Sequence, residues 1–260
     1  MTSARRFGYA QARIQARLSV LPTDSDWQRL SSARSLSGYL EEARDGALRT
    51  WVKGFSAHSN CHDLERGLRA QFLDSVEQTA TFSPKPWQAA LRWCRWLPLL
   101  PLFGHVRGGG AMPVWTRRDY RLAGLLDAGG RFDPVAMRRR GIEMLLSPSG
   151  GNGDQVGTAA VWIDQWRQRW PAMSGADRRR MEALARRLQR HWLGFMASSP
   201  DKGWERRRAL RARLRLDLHR QLLTPAAPFL YLALVALDLE RLRRALVDRA
   251  LFADERVEAA

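Results

Sequence analysis

The chain has 260 residues, a net charge of +17 and 45% apolar content, enough for a sizeable buried core. Its 11 Trp and 9 Phe exclude a disordered chain, and having only two cysteines, Cys61 and Cys94, excludes a disulfide scaffold. Of the 43 cations 40 are arginine, a bias that genome composition alone produces, so charge by itself is a weak pointer to nucleic acid.

The opening, MTSARRFGYAQARIQARL, has no long apolar stretch behind its arginines, so no secretory signal is expected. Phe7, Ala10, Ile14, Leu18 and Leu21 space one helical face ahead of Pro22, and Asp24 to Asp26 are candidate caps for the next helix. Pro84 and Pro86 open a helix holding Trp87, Leu91, Trp93 and Trp96. It continues through WLPLLPLFGHVRGGG, with breaks at Pro98 and Pro101 and an end at the triple glycine. SPSGGNGDQVG (147–157) reads as a flexible loop, and ASSPDKG (197–203) as a break. Met181, Leu184, Leu188, Trp192 and Phe195 form a further stripe opposite most of the neighbouring arginines. Leu210, Leu214, Leu218 and Leu222 form another, ended by Pro225. The last is Leu232, Val235, Leu239, Leu242 and Leu246.

With 36 Leu against 11 Val and 3 Ile, and no run of strict alternation, the expected class is all-α. Three segments are expected: an N-terminal helical subdomain (1–107), a Gly-rich irregular connection with short helices (108–157) and a C-terminal helical subdomain (158–260). A weak internal repeat supports a duplicated unit. LERGL, at Glu65, precedes a helix from Pro86 to Arg107, and WERRRAL, at Glu205, precedes one from Pro228 to Arg249. The longest apolar run, Phe229 to Leu237, is nine residues, far below the ~20 that span a bilayer. A soluble, intracellular protein is expected, with a peripheral membrane role open.

Reaction chemistry is sparse. RGGGAM and SGGNGDQVG contain no lysine and follow no strand pattern, so neither is a phosphate-binding loop. His58, Cys61 and His62 form the sole metal-like cluster, short of the paired ligand spacings that zinc uses. Cys94 lies between Trp93 and Arg95 on an apolar helix with no partner base. No catalytic, metal or cofactor site is therefore expected, and the chain reads as a non-enzyme. The candidate partner-binding residues are three arginine groups: Arg138, Arg139 and Arg140; Arg178, Arg179 and Arg180; and Arg206, Arg207, Arg208 and Arg211. A basic all-α nucleic-acid binder is one alternative, set back because the aromatics follow the apolar stripes rather than the arginines. An adaptor or assembly factor is another.

The two ends of the chain resemble the C-subunit family of V-type and A-type ATPases, whose eukaryotic V-ATPase members carry the letter d. At the N-terminus the resemblance runs through Tyr9, Ala12, Arg13, Ile14, Leu18, Leu21, Leu30, Tyr39, Leu40, Thr50 and Trp51. At the C-terminus, Tyr231, Leu232, Glu240, Leu242, Arg243 and Leu246 are similar to the family's last long helix, and Asp254, Glu255 and Val257 to its closing acidic helix. The segment LERGLRAQFLDSVEQ and the helix from Pro86 suit a family domain as well. The resemblance implies a funnel of three similar helical domains about a pseudo-threefold axis. It also implies a coupling role in rotary ion transport, between the central-shaft subunits and the membrane rotor ring, peripheral on the cytoplasmic face. The chain departs from the family in its shorter length, in PLLPLFGHVRGGG, which stands where the family carries an "N-hydrophobic-K" signature, and in its charge. Residues 111–220 alone carry +12, from 23 cations and 11 carboxylates. The middle part is accordingly expected to be reduced or rebuilt.

Overall fold

A computed structural model describes residues 3–147 and 155–252. The chain is 75% helical, and no strand forms among the described residues, so the class is all-α. In chain order the helices are α1 (Ser3–Leu18), α2 (Asp24–Ser31), α3 (Leu36–Arg44), α4 (Arg49–Val52), α5 (Cys61–Phe82), α6 (Gln88–Trp93) and α7 (Leu100–Arg107). After them come α8 (Tyr120–Ala123), α9 (Pro134–Arg139), α10 (Gln155–Gln168), α11 (Gly175–Met196), α12 (Pro200–Arg220) and α13 (Ala226–Leu251). The expected 147–157 loop falls mostly outside the described residues, as do Asp254, Glu255 and Val257.

Local sequence sets the helix starts. Thr23, not Asp24 or Asp26, caps α2: its hydroxyl accepts from the Asp26 backbone N–H, and the Thr23 N–H donates to the Asp26 carboxylate at 2.8 Å. Hydrogen bonds from Thr23 hold the Asp26 carboxyl below the usual range. Asn60 caps α5 by accepting from the Asp63 N–H, which gives the HSNCH segment a structural job. Ser174 does the same for α11 through Asp177.

The chain forms two compact units, residues 1–92 with 207–260, and residues 93–206. In the first, α13 packs on α5, α1 and α3. Its opening turns, Ala226 to Leu232, are buried on every side, as expected of a helix apolar all round. Phe7 and Ala10 of α1 and Trp87 close the other side, with Trp87 edge-on to both Phe7 and Phe229 at 6.1 Å. This grouping joins the two ends of the chain, whereas the expected subdomains keep 1–107 and 158–260 apart. The physical reason is α13: its opening turns, apolar all round, need cover on all sides, and its later apolar stripe needs cover on one, which its packing on α5, α1 and α3 supplies.

The second unit is built on α10, which packs against α7 and α11. Trp162, Trp166 and Trp170 recur every four residues and face inward. Trp162 stacks on Trp93 at 6.4 Å and on Trp166 at 5.8 Å, and the Trp93 indole N–H donates to the Trp162 carbonyl at 3.0 Å. Residues 113–147, read from the sequence as part of an irregular connection with short helices, hold α8 and α9. Leu122, Leu125, Met137, Ile142 and Leu145 are all buried there.

The single helix from Pro86 to Arg107 used in the repeat does not form, and the expected breaks at Pro98 and Pro101 do. The segment divides into α6, a 3-10 stretch from Cys94 to Leu99 containing Pro98, and α7, with Pro101 in its first turn. Proline removes an N–H and clashes with the preceding turn. Its counterpart, α13, is one unbroken helix of 26 residues. The likeness between the two helix pairs is thus confined to their first members, α5 and α12. RGGG, where the helix is expected to end, is the cap of α7. Gly110 N–H reaches the His105 carbonyl, Gly109 N–H reaches that of Val106, and Gly109 takes φ +83. Alanine at Gly109 is expected to lower the stability by about 1 kcal/mol in thermal unfolding, since a Cβ disfavours that conformation.

Candidate functional site

The ten candidate arginines separate into three situations. Arg138, Arg139 and Arg140 end α9 and are exposed. Gly141 follows them at φ +64, with its N–H on the Arg138 carbonyl, and the cations sit at the negative end of the helix. Arg178 and Arg179 are exposed near the start of α11. Arg180 pairs with Asp177 at 3.0 Å. Arg206 and Arg208 are exposed, and Arg207 bonds Glu240 at 3.1 Å. Arg138 to Arg140, Arg178, Arg179, Arg206 and Arg208 carry no carboxylate partner among the described residues. The groups at 138–140 and 178–180, with Arg206, belong to the second unit; Arg207, Arg208 and Arg211 belong to the first.

Arg211 is a different object. Its side chain is 12% exposed and grips the wholly buried Asp238 with both ends of the guanidinium, Nε to Oδ1 at 2.6 Å and Nη2 to Oδ2 at 3.2 Å. The same Nη2 donates to the Pro22 carbonyl at 2.6 Å. Burial pushes the Asp238 carboxyl up, and the hydrogen bonds and charge of Arg211 oppose it. Arg211 therefore holds the interior of the first unit together and is withdrawn from any partner surface.

Two more arginines do related work. Arg249 donates from Nε and Nη2 to the Ala33 carbonyl, at 2.9 and 2.7 Å, and lies 4.4 Å over the Tyr39 ring. Arg241 lies 4.6 Å over Trp27 and 3.8 Å from Asp24. Cations of α12 and α13 thus anchor the turns at Pro22 and Ala33, which join α1 to α2 and α2 to α3. Arg241, Arg249 and Asp238 are not among the sequence candidates, yet a signal exists. Val235, Asp238, Leu242, Leu246 and Arg249 share one helical stripe, so two charges fall in phase with apolar neighbours that are buried.

In the second unit Arg169 plays the comparable part. Its guanidinium lies 3.8 Å over Trp93 and donates to the Gln165 carbonyl at 2.6 Å and to that of Gly141 at 3.2 Å. Burial lowers its pKa, with Glu143 opposing. The Cys94 thiol is buried and pushed far up by that burial, which keeps it a neutral core group rather than a thiolate. Among the described residues no three His, Cys, Asp or Glu side chains gather as a metal site, and no helix is long and apolar enough to cross a membrane.

No family model, no curated protein and no solved structure matches this chain.

Proposed function

We propose that this chain is a non-catalytic rotor-coupling component similar to the C-subunit family of V/A-type ATPases, working between the central shaft and the membrane rotor ring on the cytoplasmic face. One observation supports the reading above others. The residues that carry the resemblance come from opposite ends of the chain and meet in one folded unit. Ile14, Leu30, Tyr39 and Leu40 from the first end, with Tyr231, Leu232, Leu242 and Leu246 from the second, are all in its core. No matched leucine or isoleucine is exposed, while matched Tyr9, Ala12, Arg13, Thr50 and Arg243 face solvent.

A coupling part must carry load between two partners without yielding. The continuous α13, about 39 Å long at 1.5 Å per residue, packs on α5 and is pinned by Arg211 and Arg249. Neither the ion-paired Asp238 nor the buried Cys94 is placed to act on a substrate. Co-purification is the test. A tagged chain expressed in its own cells is expected to bring down shaft and ring proteins from detergent-solubilised membranes. Recovery of the chain with neither, or with a stable partner that is no part of a rotor, sinks the reading.

A further inference from the structure

We infer that the exposed face of α12 in the first unit, together with the turn that follows it, is a docking surface for anionic lipid headgroups. Arg208, Arg213, Arg215 and Arg220 stand on that face; Arg208 and Arg220 have no carboxylate partner among the described residues, and Arg215 forms no ion pair there, its charge acting only at longer range on Asp238. Arg213 lies 3.6 Å from Asp217, the nearest acid, whose own side chain is only 12% exposed. The other exposed positions on the face are Ala209, Ala212, Leu216 and His219, with no carboxylate, amide or hydroxyl. From Arg208 to Arg220 the helix rises about 18 Å, so the cations are dense.

The turn beyond is apolar and held open. Leu222 and Leu223 are 41% and 38% exposed, and Leu216, one to two turns back, is 52% exposed. Leu223 has φ 60, a left-handed conformation that a side-chain-bearing residue adopts at a cost, and its N–H is tied at 3.2 Å to the side chain of the buried Gln11. The fold therefore fixes a strained turn in place with two leucines in water.

Cations beside exposed aliphatic side chains match a lipid interface, where arginines meet phosphates and leucines enter the acyl boundary. Duplex nucleic acid offers phosphates, and guanine edges to arginine, but no apolar phase to receive Leu216, Leu222 and Leu223. The inference goes beyond the rotor reading and does not need it.

Flotation of the purified chain with vesicles decides the matter. Binding is expected to vesicles in which about one third of the phosphatidylcholine is replaced by phosphatidylglycerol, weakening with salt, and not to phosphatidylcholine alone. Arg208→Gln/Arg215→Gln/Arg220→Gln is expected to weaken binding on the order of 100-fold, roughly fivefold for each charge. Leu222→Ser/Leu223→Gly is expected to weaken it by about tenfold, and Leu223→Gly alone to keep or raise the melting temperature because glycine accepts the left-handed turn. Leucine variants that bind vesicles as the parent does overturn the proposal. So does absence of binding at low salt, or tighter binding to a duplex oligonucleotide than to the anionic vesicles at equal salt. Because the assay contains no rotor proteins, its failure and the failure of co-purification are separate results.

Discussion

Asp238→Ala is expected to destabilise the first unit by about 3–5 kcal/mol, more than a large core truncation of similar area would by transfer alone. The reason lies in what stays behind. Arg211 is nearly buried, and its guanidinium is neutralised by a carboxylate with no exposure. Removing that carboxylate strands a cation that cannot reach water without breaking its bond to the Pro22 carbonyl. Urea unfolding followed by helix signal measures this directly. The companion variant is Arg211→Met/Asp238→Leu, which removes both charges and is expected to recover most of the loss, short by about 1 kcal/mol for the Pro22 carbonyl left without its donor. If Asp238→Ala costs less than about 1 kcal/mol, the pair is a surface-like contact and the anchoring role assigned to Arg211 is wrong.

The same pair shows how far the sequence is legible. The helical faces of α1, α11 and α13 follow apolar spacing, and Ile14, Met181 and Leu242 are buried as the periodicity implies. That spacing reports which residues leave water, and burial of an apolar side chain depends on little else. Arg211 stands in RRRALRARLR, where each arginine looks alike, and only a carboxylate on the next helix separates it from Arg208 or Arg215. Partner identity across two helices is tertiary information and has no local signature. Asp238 and Arg249 are detectable in principle, since both fall in phase with the apolar stripe of α13. Pro98 and Pro101 mark breaks in the sequence and in the structure alike. Local spacing does not disclose that they divide the segment into short helices, while the matching stretch of α13, with prolines only at its start, runs unbroken.

Alkaline conditions are expected to unfold the first unit ahead of ordinary base titration, because two of its tyrosines are sealed in the core. Burial pushes both Tyr39 and Tyr231 up to about 12, opposed at Tyr39 by Arg249 and Arg241 and at Tyr231 by Arg17. In the unfolded chain each phenol ionises near its ordinary value of 10. Below that pH both states hold the proton, and the contribution to stability is complete. As pH rises from 10 toward 12 the unfolded chain releases protons that the folded one keeps. Stability then falls at about 1.4 kcal/mol per pH unit for each tyrosine, up to about 3 kcal/mol apiece. Urea midpoints across this range are expected to drop steeply, and in a Tyr9→Phe/Tyr120→Phe background, which removes the two exposed phenols, phenolate absorbance is expected together with loss of helix. Tyr39→Phe and Tyr231→Phe are each expected to remove about half of the slope, and the double variant to leave it nearly flat. In that background, phenolate appearing near pH 10 with the helix signal intact would place Tyr39 or Tyr231 in contact with water. The cover that α13 and α3 give one another would then be looser than Tyr39, at 2% exposure, requires.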